Sequence, residues 1–163
     1  MRKHHPKNER IKRQYLIWLQ EAKRLSRNSI DQKAAAIALF EASTHYRDFA
    51  TFHIEQARAF KKYQAEQINA ATGKPLAKAT LKTRLDALKA FFLWLADQPG
   101  YRSRIRYPDA EYFNMSANDV AIATAKREKR SPELEQVHYV LNTIKADTPL
   151  ERRTRAIIAF ALL

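Results

Sequence analysis

An all-α helical bundle is predicted by three features of the sequence. Nearly every regular segment repeats its apolar residues at helical spacing. No stretch of useful length alternates as a strand does. The 163 residues include only 2 Gly, too few for a turn-rich sheet architecture. With 45% hydrophobic residues a core can form, which argues against wholesale disorder.

The elements follow in chain order. Asn8 is expected to cap a first helix whose narrow stripe is Ile11, Tyr15, Trp18, Ala22 and Leu25, with a basic arm over residues 1–8 before it. A second helix should open around Asn28-Ser29 and carry Ile30, Ala34, Ile37 and Phe40. A third should open at Thr51 and turn Ile54, Ala57, Phe60 and Tyr63 inward. The clearest pattern starts at Thr80, where Leu81, Leu85, Leu88, Phe92 and Leu95 share one face until Pro99-Gly100 ends the helix. After Ser131-Pro132 a further helix should carry Val137, Val140, Leu141 and Ile144. The last start is Thr148-Pro149-Leu150-Glu151, a capping threonine, a proline at the first helical position and a glutamate that completes a capping box. That helix runs into Ala156 to Leu163, which is apolar on every side and belongs in a core. The expectation is that Leu163 cuts through a larger protein, and that this tail finds a neighbouring copy or stays disordered.

Charge sets the class of partner. There are 30 Lys+Arg against 17 Asp+Glu, a formal charge of +13, and such an excess points to a polyanion, with nucleic acid first. The excess is uneven: +6 over residues 1–25, +4 over 26–100, +3 over 101–130 and zero over 131–163. The run Lys126-Arg127-Glu128-Lys129-Arg130 reads as a basic linker. It separates a helical DNA-binding domain over 1–125 from the opening of a second domain over 131–163. No apolar run approaches the ~20 residues a membrane span requires, so no membrane partner is expected and a soluble protein is. A secretory signal is also missing, and zero Cys fits an intracellular compartment while excluding disulfide scaffolds, thiolate metal sites and a cysteine nucleophile.

Chemistry-bearing motifs are few. Gly73 and Gly100 cannot build a phosphate-binding glycine loop, the five His show no metal-ligand spacing, and the carboxylates stand singly. No catalytic residue, cofactor or metal is expected. Trp18 and Trp94 read as packing residues rather than base-stacking platforms. Two segments echo each other: Leu25-Ser26-Arg27-Asn28-Ser29 and Leu76-Ala77-Lys78-Ala79-Thr80 each set a base and then a hydroxyl at a helix start. Such starts offer free backbone N–H groups to phosphate. Lys78, Lys82 and Lys89 line the border of the Leu81 stripe, either as a solvated face or as a row against a phosphate backbone.

These two segments, together with Leu81-Lys82-Thr83-Arg84-Leu85-Asp86-Ala87-Leu88-Lys89-Ala90-Phe91-Phe92-Leu93-Trp94-Leu95, resemble the core-binding domain of tyrosine recombinases, the phage integrases. Ser131-Pro132-Glu133-Leu134 and Arg155 to Leu163 resemble the opening of that family's catalytic domain. The resemblance spans most of residues 15–163. It departs at Ala77, where the family usually has serine, and around Ser116 to Ala125, which match no part of its pattern. It implies a SAM-like helical domain, a linker and two helices of a truncated catalytic domain. It also implies a parent enzyme that breaks and rejoins DNA through a phosphotyrosyl bond, with no nucleotide cofactor. The family's catalytic residues fall after the all-apolar helix, so none lies within residues 1–163.

On this reading the partner is double-stranded DNA. Arg27, Asn28, Ser29 and Lys33 address it from one helix start, and Lys78, Thr80, Lys82, Thr83 and Arg84 from the other. Lys126, Arg127, Lys129 and Arg130 follow the backbone along the linker. Gln32 and Asn28 are types that read base edges; phosphate contact or capping is the other role open to Asn28. Further copies of the recombinase, as a tetramer on DNA, and a cytoplasmic, nucleoid-associated setting are implied by the family. A non-catalytic helical DNA- or RNA-binding regulator and a basic helical interaction scaffold are the alternatives.

Overall fold

A computed structural model describes residues 4–70, 72–125 and 132–160. The chain divides into two compact units, Met1–Ala125 and Lys126–Leu163. In the first, helices α1 (Pro6–Glu21), α2 (Arg27–Ser43), α3 (Ile54–Ala65) and α4 (Lys78–Ala96) form a bundle. A 3-10 turn at Phe49–Thr51 precedes α3. The short α5 (Tyr107–Ala110), a second 3-10 turn (Glu111–Phe113) and α6 (Ala117–Thr124) follow α4. No strand occurs among the described residues, and the class is all-α.

Helix directions follow from which residues meet. Asn8 and Lys12 near the start of α1 reach Glu41 near the end of α2, so the two run antiparallel. Gln32 shares a groove with Thr80 and Thr83, and Phe40, further along α2, meets Phe92, further along α4; these two helices run in the same sense. Gln64 in the last turn of α3 meets Arg84 in the second turn of α4, so α3 runs against them. One end of the bundle therefore gathers the starts of α2 and α4 with the ends of α1 and α3. The other end gathers the start of α1, the end of α2 and the residues after α4.

Phenylalanine fills the centre. Phe40 lies 5.4 Å from Phe60, 5.4 Å from Phe92 and 5.6 Å from Phe113. Phe52 lies 4.2 Å from Phe92, and Phe49 lies 5.2 Å from Phe91. Each such pair adds about 0.5–1.5 kcal/mol beyond the area it buries. All five residues of the α4 stripe are buried, as their spacing predicts. Tyr15 touches Phe91 and Trp94, while Trp18 lies 6.1 Å from Trp94; both tryptophans are half-buried packing residues.

Several boundaries differ from expectation, each for a physical reason. Proline at the first helical position starts α1 at Pro6, inside the stretch expected to be a basic arm before the helix, and Asn8 is buried within the helix rather than capping it. The helix ends at Glu21, so Ala22 is an exposed C-cap and Leu19 takes the buried place on the stripe. Ser26 caps α2, accepting from the Ser29 N–H at 3.4 Å, which puts Ser29 at the third helical position. Asp48 caps the 3-10 turn that contains Thr51, and α3 begins only after His53. Phe60 is buried, but Tyr63 points outward at 45% exposure. The N-cap of α4 is Ala77, three residues before Thr80, and it offers no capping side chain.

The second unit holds α7 (Leu134–Thr143) and α8 (Pro149–Phe160). The capping box at α8 forms: Thr148 Oγ1 accepts from the Glu151 N–H at 3.2 Å and Glu151 Oε2 accepts from the Thr148 N–H at 2.9 Å. Glu133 caps α7, so Ile144 falls just past the helix end. No residue of either helix is buried; Tyr139, Leu150 and Phe160 are more than 70% exposed.

Candidate nucleic-acid interface

The α2 start is built by Ser26, whose hydroxyl holds the first turn and leaves Arg27, Asn28 and Lys33 projecting from the helix. None of these three has a hydrogen-bonding or ion-pairing partner among the described residues, so their polar groups face water. Ser29 Oγ lies 3.0 Å from Ser26 Oγ, which makes it part of the cap.

On α4 the candidates divide between two sides of the apolar stripe. Thr80, Thr83 and Arg84 line a shallow groove of about 370 Å³ with Gln32 of α2. Arg84 Nη1 donates to Gln64 Oε1 at 2.6 Å; the amide fixes the guanidinium without cancelling its charge. The Thr83 hydroxyl donates to the Ala79 carbonyl at 3.0 Å.

Lys78, Lys82 and Lys89 lie on the opposite border, and every one has an acidic partner. Lys78 Nζ is 2.8 Å from Asp119 of α6 and Lys82 Nζ is 2.6 Å from Asp86. Lys89 Nζ is 2.8 Å from Glu111, with Asn114 Oδ1 at 3.0 Å. Each lysine of the row thus has an acid beside it in the free protein. Two members of the row clasp the 107–124 segment against α4. The hydrogen bond from Lys78 holds the Asp119 carboxyl below its ordinary range, and that from Lys89 does the same for Glu111.

The structure thus brings Arg27, Asn28, Ser29, Gln32, Lys33, Thr80, Thr83 and Arg84 to one end of the first unit. Lys126, Arg127, Lys129 and Arg130 lie outside the described residues. Lys23, Arg24 and Lys74 belong to the same end and were not singled out by sequence. Lys23 Nζ sits 5.1 Å over the Trp18 ring, and Lys74 lies within the Gln67–Leu76 turn, where Ile68 pairs with Pro75. The signal that would have found them is their place in connections that return to a helix start.

Among the described residues no cluster of His, Asp or Glu is arranged to hold a metal, and no helix is long and apolar enough to cross a membrane. No family model matches the chain, and no match was found to a curated protein or a solved structure.

Proposed function

We propose that this chain is the DNA-binding N-terminal portion of a site-specific recombinase of the tyrosine, or phage integrase, type. It grips duplex DNA with the end of the first unit where α2 and α4 begin. The observation that supports this most is the convergence of two basic helix starts whose Arg27, Lys33 and Arg84 carry uncancelled charge. Backbone N–H groups at both starts add acceptor-seeking dipoles for phosphate oxygens. Phosphate contacts of this kind position a protein on DNA, and Gln32, which lines the groove, is of a type that reads base edges.

On this reading the reaction belongs to a catalytic domain of the recombinase type, outside the DNA-binding unit. There a tyrosine would attack the phosphodiester and fixed cations would stabilise the phosphoryl oxygens. The first unit acts as half of a clamp. Further copies on the same DNA complete the assembly, in a nucleoid setting.

Titration of a fluorescent duplex against salt tests the reading. About six phosphate contacts, the linker included, give a slope of log K on log salt near −5. Replacing Arg27, Lys33 and Arg84 together by Ala is expected to weaken binding by about 2–4 kcal/mol with helix content intact. A flat salt dependence, or unchanged affinity of that variant, refutes the proposal.

A further inference from the structure

The opposite end of the first unit contains a cavity of about 840 Å³ between the start of α1 and the residues after α4. Ile11, Ala50, Trp94 and Pro99 are its apolar lining. Three cations also line it, Lys7, Arg10 and Arg104, against a single acid, Asp48. That acid is already engaged: Oδ1 accepts from the Ala50 N–H at 2.9 Å, and Oδ2 lies 3.8 Å from Lys7 Nζ. Arg10 and Arg104 have no carboxylate partner among the described residues.

We infer that this cavity is a binding site for a nucleotide, its ring set against the part of the half-buried Trp94 indole that lines the cavity and its phosphate held by Arg10 and Arg104. The volume suits a ligand of that size. Guanidinium groups match phosphate oxygens in pairs, and an indole offers a flat apolar surface to a base. Gln98 donates its amide N–H to the Trp94 carbonyl at 3.1 Å, which leaves its Oε1 to accept from the exocyclic amino group of a base. Burial, with Asp48 second, pushes the Tyr101 phenol above its ordinary value, so its hydroxyl keeps the proton it would donate. A purely acidic peptide would use the cations and leave the apolar lining without a function. The site is separate from the α2 and α4 starts, and it stands or falls independently of the DNA reading.

The chemistry is shared by a free nucleotide and by the 5′-phosphorylated end of a single strand. Calorimetric titration of the whole chain with adenosine 5′-monophosphate is the test, with inorganic phosphate, adenosine, a 5′-phosphorylated trinucleotide and hexaglutamate as parallel probes. Saturable binding of the monophosphate is expected, with phosphate and adenosine each at least about tenfold weaker. Replacing Arg10 and Arg104 together by Ala should cost at least about tenfold, with unchanged circular dichroism, whereas Arg84→Ala should leave the titration as it was. Trinucleotide binding that is tighter than the monophosphate and equally Arg104-dependent assigns the site to strand ends; weaker binding assigns it to free nucleotide. Absence of saturation up to ~10 mM monophosphate, indifference to the double substitution, or tighter binding of hexaglutamate overturns the inference.

Discussion

Replacing Asn8 by Ala is expected to remove a large part of the first unit's stability, because one buried amide serves three groups. Its Nδ2 donates to Glu41 Oε1 and to the Arg47 carbonyl, each at 2.8 Å, and its Oδ1 accepts from the Phe49 N–H at 3.0 Å. The residue is 0% exposed and Glu41 is 1% exposed. Ala leaves a carbonyl, an N–H and one carboxylate oxygen without their partner, at about 1–3 kcal/mol each. Partial hydration of the space lowers that sum, and a loss of about 3–5 kcal/mol is the expected outcome against a typical total of about 5–15 kcal/mol. Urea unfolding followed by circular dichroism should show the midpoint falling by about 2 M. A double-mutant cycle with Glu41→Ala isolates the link between α1 and α2, with coupling of about 1–2 kcal/mol expected. A loss under ~1 kcal/mol, or zero coupling, would mean that α1 is held by its apolar stripe alone.

Two further outcomes are expected. Asp119→Asn removes the acid that engages Lys78, so duplex affinity should rise by about two- to tenfold at low salt with little change in melting temperature; a fall in affinity would remove Lys78 from the interface. Alkali should destabilise the first unit. Burial pushes Tyr15 up to about 12, so its stabilising contribution is complete below the ordinary phenol value near pH 10 and is lost as pH rises to 12. Lys12 acts in the same direction. Burial alone would lower its pKa, but hydrogen bonds to Glu41 and Glu9 raise it overall, so its contribution also disappears at high pH. Denaturation at pH 8, 10 and 12 should show Tyr15→Phe losing about 2–3 kcal/mol less than the parent over this range, and equal losses would contradict the assignment.

Which features the sequence revealed depended on how far away their cause lay. The α4 stripe and the Thr148–Glu151 cap are local, with periodicity and capping chemistry contained in one helix, and both were legible. Local rules favour a capping role for Asn8. Its true partners, Glu41 and Phe49, are 33 and 41 residues away. The lysine row shows the same limit: a projection of α4 displays its own residues but not Asp119 or Glu111, which arrive from later segments. The region 107–124 was invisible because its elements have four, three and eight residues, too short to show a period. The candidate interface was legible as two basic starts. That they share one end of the bundle depends on helix direction, which composition and spacing do not encode.

Phe113 determines when the first unit can finish folding. It is 1% exposed and touches Phe40, Phe52 and Phe92, rings contributed by α2, the segment before α3, and α4. During synthesis the ring that fills this place emerges only after all four bundle helices have. Until then three aromatic faces remain open to solvent or to another nascent chain. Sequence-distant closure of this kind makes folding slower than the helical content suggests. It also sets a minimum length for any autonomous fragment: one that stops after Pro99-Gly100 keeps every bundle helix and still lacks the ring that seals their centre.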